Sequence, residues 1–103
     1  MTVEEIKDLI VEAAPEAKHY KSDKKGNAFT VWAEYRQLDF SADDEHAEAW
    51  AFQVDHYTTQ EFDPIAKAIR MALEKHPGTT YRYEVMVDPE DVYIRHMFDC
   101  EGH

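Results

Sequence analysis

Apolar residues in this chain switch from helical spacing to alternation and back, and that switch restricts the fold more than any single residue does. Val3, Ile6, Leu9, Ile10 and Ala13 fall on one helical face. Thr2 and Glu5 have the spacing of a capping box, in which each satisfies an amide that the helix start leaves unpaired. Pro15 closes the pattern, because the residue before a proline is pushed out of the helical region. The segment Lys18–Asn27 holds four of the eleven bases and reads as a surface loop. From Ala28 to Arg36 the period is two: Phe29, Val31, Ala33 and Tyr35 alternate with Thr30, Trp32, Glu34 and Arg36. Trp32 on the more polar side implies that this side is partly covered as well. A loop runs from Gln37 to about Glu48. A second alternating run, Ala49 to Tyr57, then sets Trp50, Phe52, Val54 and His56 against Ala51, Gln53, Asp55 and Tyr57. Asp63-Pro64 starts a second helix, with an N-cap acid before a proline at the first helical position. Its stripe is Phe62, Ile65, Ile69, Ala72 and Leu73, and His76-Pro77-Gly78 ends it. Two further strands, Thr80–Val87 and Val92–Phe98, flank a turn at Asp88–Asp91.

The predicted order is α-β-β-α-β-β, an α+β fold with two helices packed on one face of a four-stranded sheet. At 103 residues the expectation is a single domain over residues 1–103. Two Trp, five Phe and six Tyr supply the apolar area that disordered chains lack. The net charge of −11, from 22 acids and 11 bases, argues against direct phosphate-contact DNA binding, which needs a basic face. It argues equally against docking on an anionic membrane. The acidic start Met1-Thr2-Val3-Glu4-Glu5 is unlike a signal peptide, and no apolar run approaches the length of a membrane span. The expectation is a protein that stays in the cytoplasm or in a particle assembled there.

Residue types that carry chemistry are present without the spacing that chemistry needs. Gly26, Gly78 and Gly102 are too few and too scattered for a phosphate-cradling loop. Ser22 and Ser41 sit in polar loops with no nucleophile elbow. A single cysteine excludes an intrachain disulfide and a cysteine-cluster zinc site. Cys100 lies near the chain end, where chains fray, and reads as an incidental thiol. His56 and His96 both fall on strands. Were those strands neighbours, the imidazoles could share a metal with Asp55 or Asp88 nearby. No His-x-His or His-Glu-x-x-His supports this, and the plainer reading is two half-solvated strand-end histidines. The acidic loop lacks the alternating ligand order and central glycine of an EF-hand. No cofactor, no metal and no catalysis is expected.

Charge distribution says more than any one residue. From Gln37 to Asp63 there are eight acids and no Lys or Arg, and from Glu84 onward six acids stand against Arg95 alone. The bases collect after the first helix and on the second. Such segregation suits a surface that meets oppositely charged neighbours or repels DNA.

Three stretches together carry a family pattern: the strand Ala28-Phe29-Thr30-Val31-Trp32, the loop Ser41-Ala42-Asp43-Asp44-Glu45, and the strand Trp50-Ala51-Phe52-Gln53-Val54-Asp55-His56-Tyr57 leading to a helix at Glu61-Phe62-Asp63. This resembles the tail terminator proteins of long-tailed bacteriophages and prophages, also called tail completion or tail-to-head joining proteins. The resemblance covers nearly the whole chain and rests on fold patterns rather than catalytic signatures. It implies two helices on a mixed or antiparallel sheet and no enzymatic activity. It also implies a ring, commonly a hexamer, that caps the tail and presents its other face to the head. The implied partners are further copies of the chain, the major tail tube protein and the head connector or stopper protein. The implied location is the virion tail, after assembly in the host bacterial cytoplasm. On this reading Phe40 supplies a hydrophobic interface contact, Asp43, Asp44 and Glu45 supply electrostatic ones, and Trp32 contributes to ring closure. The competing reading is an acidic DNA-mimic inhibitor of a basic nucleic-acid enzyme, with carboxylates spaced over an exposed face as phosphates are.

Replacing Asp43, Asp44 and Glu45 with Asn, Asn and Gln is expected to leave the melting curve nearly unchanged, because exposed charge pairs contribute only about 0–1 kcal/mol. The same variant is expected to slow tail joining or alter its salt dependence. Normal assembly at both low and high salt would reduce the loop to a solvated connector.

Overall fold

A computed structural model of the chain describes residues 1–38, 48–87, 90 and 92–103. In chain order the elements are α1 (Val3–Ala13), β1 (Lys18–His19), β2 (Ala28–Gln37), β3 (Trp50–Thr58), α2 (Pro64–Lys75), β4 (Thr79–Val87) and β5 (Ile94–Gly102). The strands make one five-stranded sheet in the order β1-β2-β3-β5-β4. It is mixed: β1 runs parallel to β2, and every other neighbouring pair is antiparallel.

The expected four-stranded sheet and α-β-β-α-β-β order are therefore corrected by one strand, which lies inside the segment read as a loop. Lys18 and His19 pair with Val31 and Trp32, and the Tyr20 amide donates to the Trp32 carbonyl at 2.8 Å. Two residues cannot show a period of two, so nothing local marks this strand. Its side chains dock it: the His19 ring stacks on Trp32 at 3.9 Å, and His19 Nε2 lies 2.7 Å from a Glu34 carboxylate oxygen.

Both helices lie on the same side of the sheet. The Thr2 hydroxyl accepts from the Glu5 amide and the Glu5 carboxylate accepts from the Thr2 amide, the reciprocal cap that the spacing predicts. Ile6 and Ile10 of α1 and Ile69 and Leu73 of α2 form one buried cluster with Trp32, Phe52, Val54, Phe98 and Cys100. The core face of β2 is thus the Thr30, Trp32 and Glu34 side. Trp32 is only 2% exposed, whereas Tyr35 on the other side is 56% exposed. The polar members of the core side are satisfied, Thr30 by His56 and Glu34 by His19, so the indole sets which face is covered.

β5 also starts later and runs further than the Val92–Phe98 expected. Gly102 pairs with Trp50 of β3 on one side and Thr79 of β4 on the other. A Cβ on Gly102 would lie 3.1 Å from the Phe52 ring, so the chain there is packed rather than frayed. Cys100 is in consequence a core residue, and burial raises its thiol pKa far above the usual thiol range. That disfavours the reactive thiolate. Among the described residues, no helix is long and apolar enough to cross a membrane.

Ile69 is 1% exposed within the cluster. Ile69→Ala is expected to cost about 2–5 kcal/mol by lost burial and the cavity left behind. Thermal or urea denaturation measures it, and an unchanged transition would show that α2 does not carry the core.

Candidate functional site

Strand register brings together a row of polar side chains that the sequence scatters. Thr30 pairs with His56 and His56 with His96, so the polar row crosses three strands on the helix-covered face and ends at Val85 of β4. With the proton of His56 on Nε2, its Nδ1 accepts from the Thr30 hydroxyl, the two atoms 2.7 Å apart. His56 Nε2 then faces Asp63 Oδ1 at 3.1 Å. That approach lies off the hydrogen-bond line, so the contact is electrostatic rather than an aligned bond. The same Asp63 oxygen accepts from the amides of Ile65 at 2.7 Å and Ala66 at 3.1 Å, which caps α2. From the neighbouring row the Tyr83 hydroxyl donates to His96 Nδ1 at 2.7 Å, and His96 Nε2 has no hydrogen-bond partner among the described residues.

Burial pushes the Asp63 carboxyl upward in pKa. The Thr58 side chain, the nearby His56 ring and the Ala66 amide outweigh it and hold the group at about 2. His96 is held below the ordinary histidine range, first by burial and then by the neighbouring His56 ring.

Hydroxyl, imidazole and carboxylate follow one another as in a nucleophile–base–orienter set. The environment gives them another task. Thr30 is buried, and Asp63 is committed to two helix amides. The chain ties the start of α2 to β2 and β3. The two histidines do come together, with ring centroids 6.2 Å apart. Asp55 does not join them: it sits on the opposite face, where Arg95 Nη2 donates to it at 3.1 Å. Asp88 lies outside the described residues. Among the described residues no group of three metal-ligating side chains forms.

Of the residues expected at an interface, Trp32 is in the core beneath His19. Phe40, Asp43, Asp44 and Glu45 lie outside the described residues. The role of Asp63 beyond its cap was not visible in the sequence. Seven positions separate it from His56, and no local motif links them.

Among the described residues a concavity of about 700 Å³ opens beside β1. Ala14, Pro15, Ala17 and Ile65 make its apolar part, Lys18 and Lys25 with Glu16 and Asp23 its charged part, and Thr30 and His56 also line it. On the far edge of the sheet, beside β4, the exposed apolar side chains are Val85, Met86, Val87 and Val92.

No protein-family model matches the chain, and no curated protein matches it in sequence. Among solved structures it is similar to a chain of the virion of a native gene transfer agent particle, at 11% identity and a TM-score of 0.51. The match covers 90% of this chain and 81% of that one, so the two share the fold over most of their lengths.

Both shifted groups favour the folded state at neutral pH. The contribution of His96 is complete above its ordinary value of 6.5 and is lost as pH falls through its lowered folded value. That of Asp63 is complete above 3.8 and is lost as pH falls toward about 2. The melting temperature is expected to drop in both windows. Asp63→Ala is expected to shrink the lower one and to cost about 0.5–2 kcal/mol at neutral pH through the lost cap. Circular dichroism melts across pH measure both effects, and an unaltered acid limb in the variant would remove Asp63 from the account.

Proposed function

We propose that this chain is a structural component of a virion, and within that role the protein that ends tail-tube growth and joins the tail to the head connector as a ring of copies. The observation that carries the virion part is the fold likeness to a chain of a gene transfer agent virion, which extends over nine-tenths of this chain. Support for the narrower part comes from the strand and helix patterns shared with tail terminators, together with the charge. A conduit for DNA works best when its walls do not bind phosphate, and carboxylates repel phosphate over a Debye length of about 8–10 Å. The task we infer is assembly without catalysis. In keeping with that, the Thr30–His56–Asp63 chain is buried and spent on holding α2.

The DNA-mimic reading draws less support. On the open sheet face Asp55 is paired with Arg95, and Asp99 with Arg82 at 3.5 Å and with the Tyr35 hydroxyl. A phosphate-like array needs carboxylates free of such partners.

Negative-stain microscopy of particles assembled without this chain tests the proposal. Tails of irregular length, or tails detached from heads, are the expected result. Normal tails on normal heads would overturn the terminator reading, and absence of the chain from purified particles would overturn the virion reading.

A further inference from the structure

The two edges of the sheet are unlike each other and fit each other. β4 is the last strand of its side, with no strand beyond it among the described residues. Its distal part is apolar on both faces: Val85 is 47%, Met86 54% and Val87 67% exposed, and Val92, just before β5, is 74% exposed. Natural edge strands are usually blunted by lysine, proline or a bulge. The segment Tyr83–Val87 has none of these and carries only Glu84, which has no partner among the described residues. The opposite edge presents the two-residue β1 and, beside it, the 700 Å³ cleft with its apolar part and Lys18 and Lys25. Glu16 and Asp23 also line this cleft. Lys18, Lys21, Lys24 and Lys25 have no carboxylate partner among the described residues.

Register places these features at the same end of the molecule. Val87, Ile94, Thr58 and Ala28 form one row across the sheet. The basic segment enters β2 at that row, held there by the Tyr93 hydroxyl, which donates to the Gly26 carbonyl at 2.7 Å. A neighbouring copy in the same orientation therefore sets its basic edge against the apolar end of β4 without sliding along the strands. Strand direction agrees. β1 and β2 run one way, β3 the other, β5 back and β4 opposite to β1. β4 meets the next copy's β1 edge antiparallel, the more stable ladder.

The geometry points to a head-to-tail interface between copies of this chain: the Val85–Val87 and Val92 end of one copy fills the cleft beside β1 of the next, and Glu84 and Glu90 meet its Lys18–Lys25 segment. It rests on the ring reading above and specifies which surfaces close the ring. A two-fold pairing of β4 with β4 would set Glu84 and Glu90 against their own copies and leave the cleft empty. The head-to-tail contact uses both surfaces once per copy, and its repetition about an axis closes a ring.

Sedimentation velocity at millimolar protein and low salt tests this with two variants, Glu84→Lys/Glu90→Lys and Lys21→Glu/Lys25→Glu. The wild type is expected to self-associate. Each variant alone is expected to associate about tenfold more weakly or not at all, because its own edges now repel. An equimolar mixture of the two is expected to recover association, since each reversed edge meets the other's reversed edge. Recovery also shows that both variants are folded. A wild type that stays monomeric, variants that associate like it, or a mixture that does not recover would each overturn the interface. Wild-type association that follows this charge pattern, in a chain whose loss leaves particles normal, would instead remove the terminator role and keep the interface. Aberrant tails without the chain, with a wild type that never associates, would do the reverse.

Discussion

One carboxylate joins the two layers of this protein. The first amides of any α-helix lack intrahelical partners, and here the start of α2 lies over the sheet rather than in open water. Asp63 answers two of those amides with a single oxygen and sets the same oxygen against His56 of the central strand. His56 is held in turn by Thr30 from β2 and faces His96 on β5. The position of α2 over the sheet follows from that junction, and with it the placing of Ile69 and Leu73 in the cluster that holds Phe52 and Phe98. A buried polar chain of this kind adds less net stability than an apolar one of equal volume, but it admits fewer arrangements.

The same junction decides what remains uncovered. α1 and α2 shield the middle of the sheet, and α2 meets β4 where Tyr81 bonds Glu74 at 2.6 Å and Arg70 at 3.3 Å. Beyond Tyr83 the strand has no helix over it, and Val85 and Val87 are left in solvent on the core side. At the other edge, the space between the end of α1, the start of α2 and β1 stays open as the cleft. A molecule with an apolar acidic end on one edge and an apolar recess beside a lysine-rich segment on the other has a direction. Directional contacts build rings or filaments rather than closed pairs.

Much of the fold was legible because its signals are local. The Thr2–Glu5 box, the Asp63-Pro64 start and the stripes of both helices each involve residues within a few positions of one another, although Phe62, read as part of the second stripe, lies before α2 and is 83% exposed. What was not legible depends on pairing at a distance. Lys18 and His19 form a strand only because Val31 and Trp32 offer an edge to it. Trp32 marked its face as partly covered, but that this is the core face, with Thr30 and Glu34 satisfied by His56 and His19, shows only in the folded chain. Cys100 looked like an end until β3 and β4 enclosed it from both sides.

Spacing, caps and charge were thus enough to establish two amphipathic helices, alternating strands, one domain-sized core and an acidic, segregated surface, since each depends on neighbours along the chain. The order of strands decided the rest. It put His56 opposite His96 while sending Asp55 to the other face, brought Asp63 to a histidine seven positions away, and set an apolar acidic edge and a recess beside a lysine-rich segment at the same end of the sheet. Register is a relation between segments far apart in the chain, and a one-residue slip would have exchanged every one of these faces.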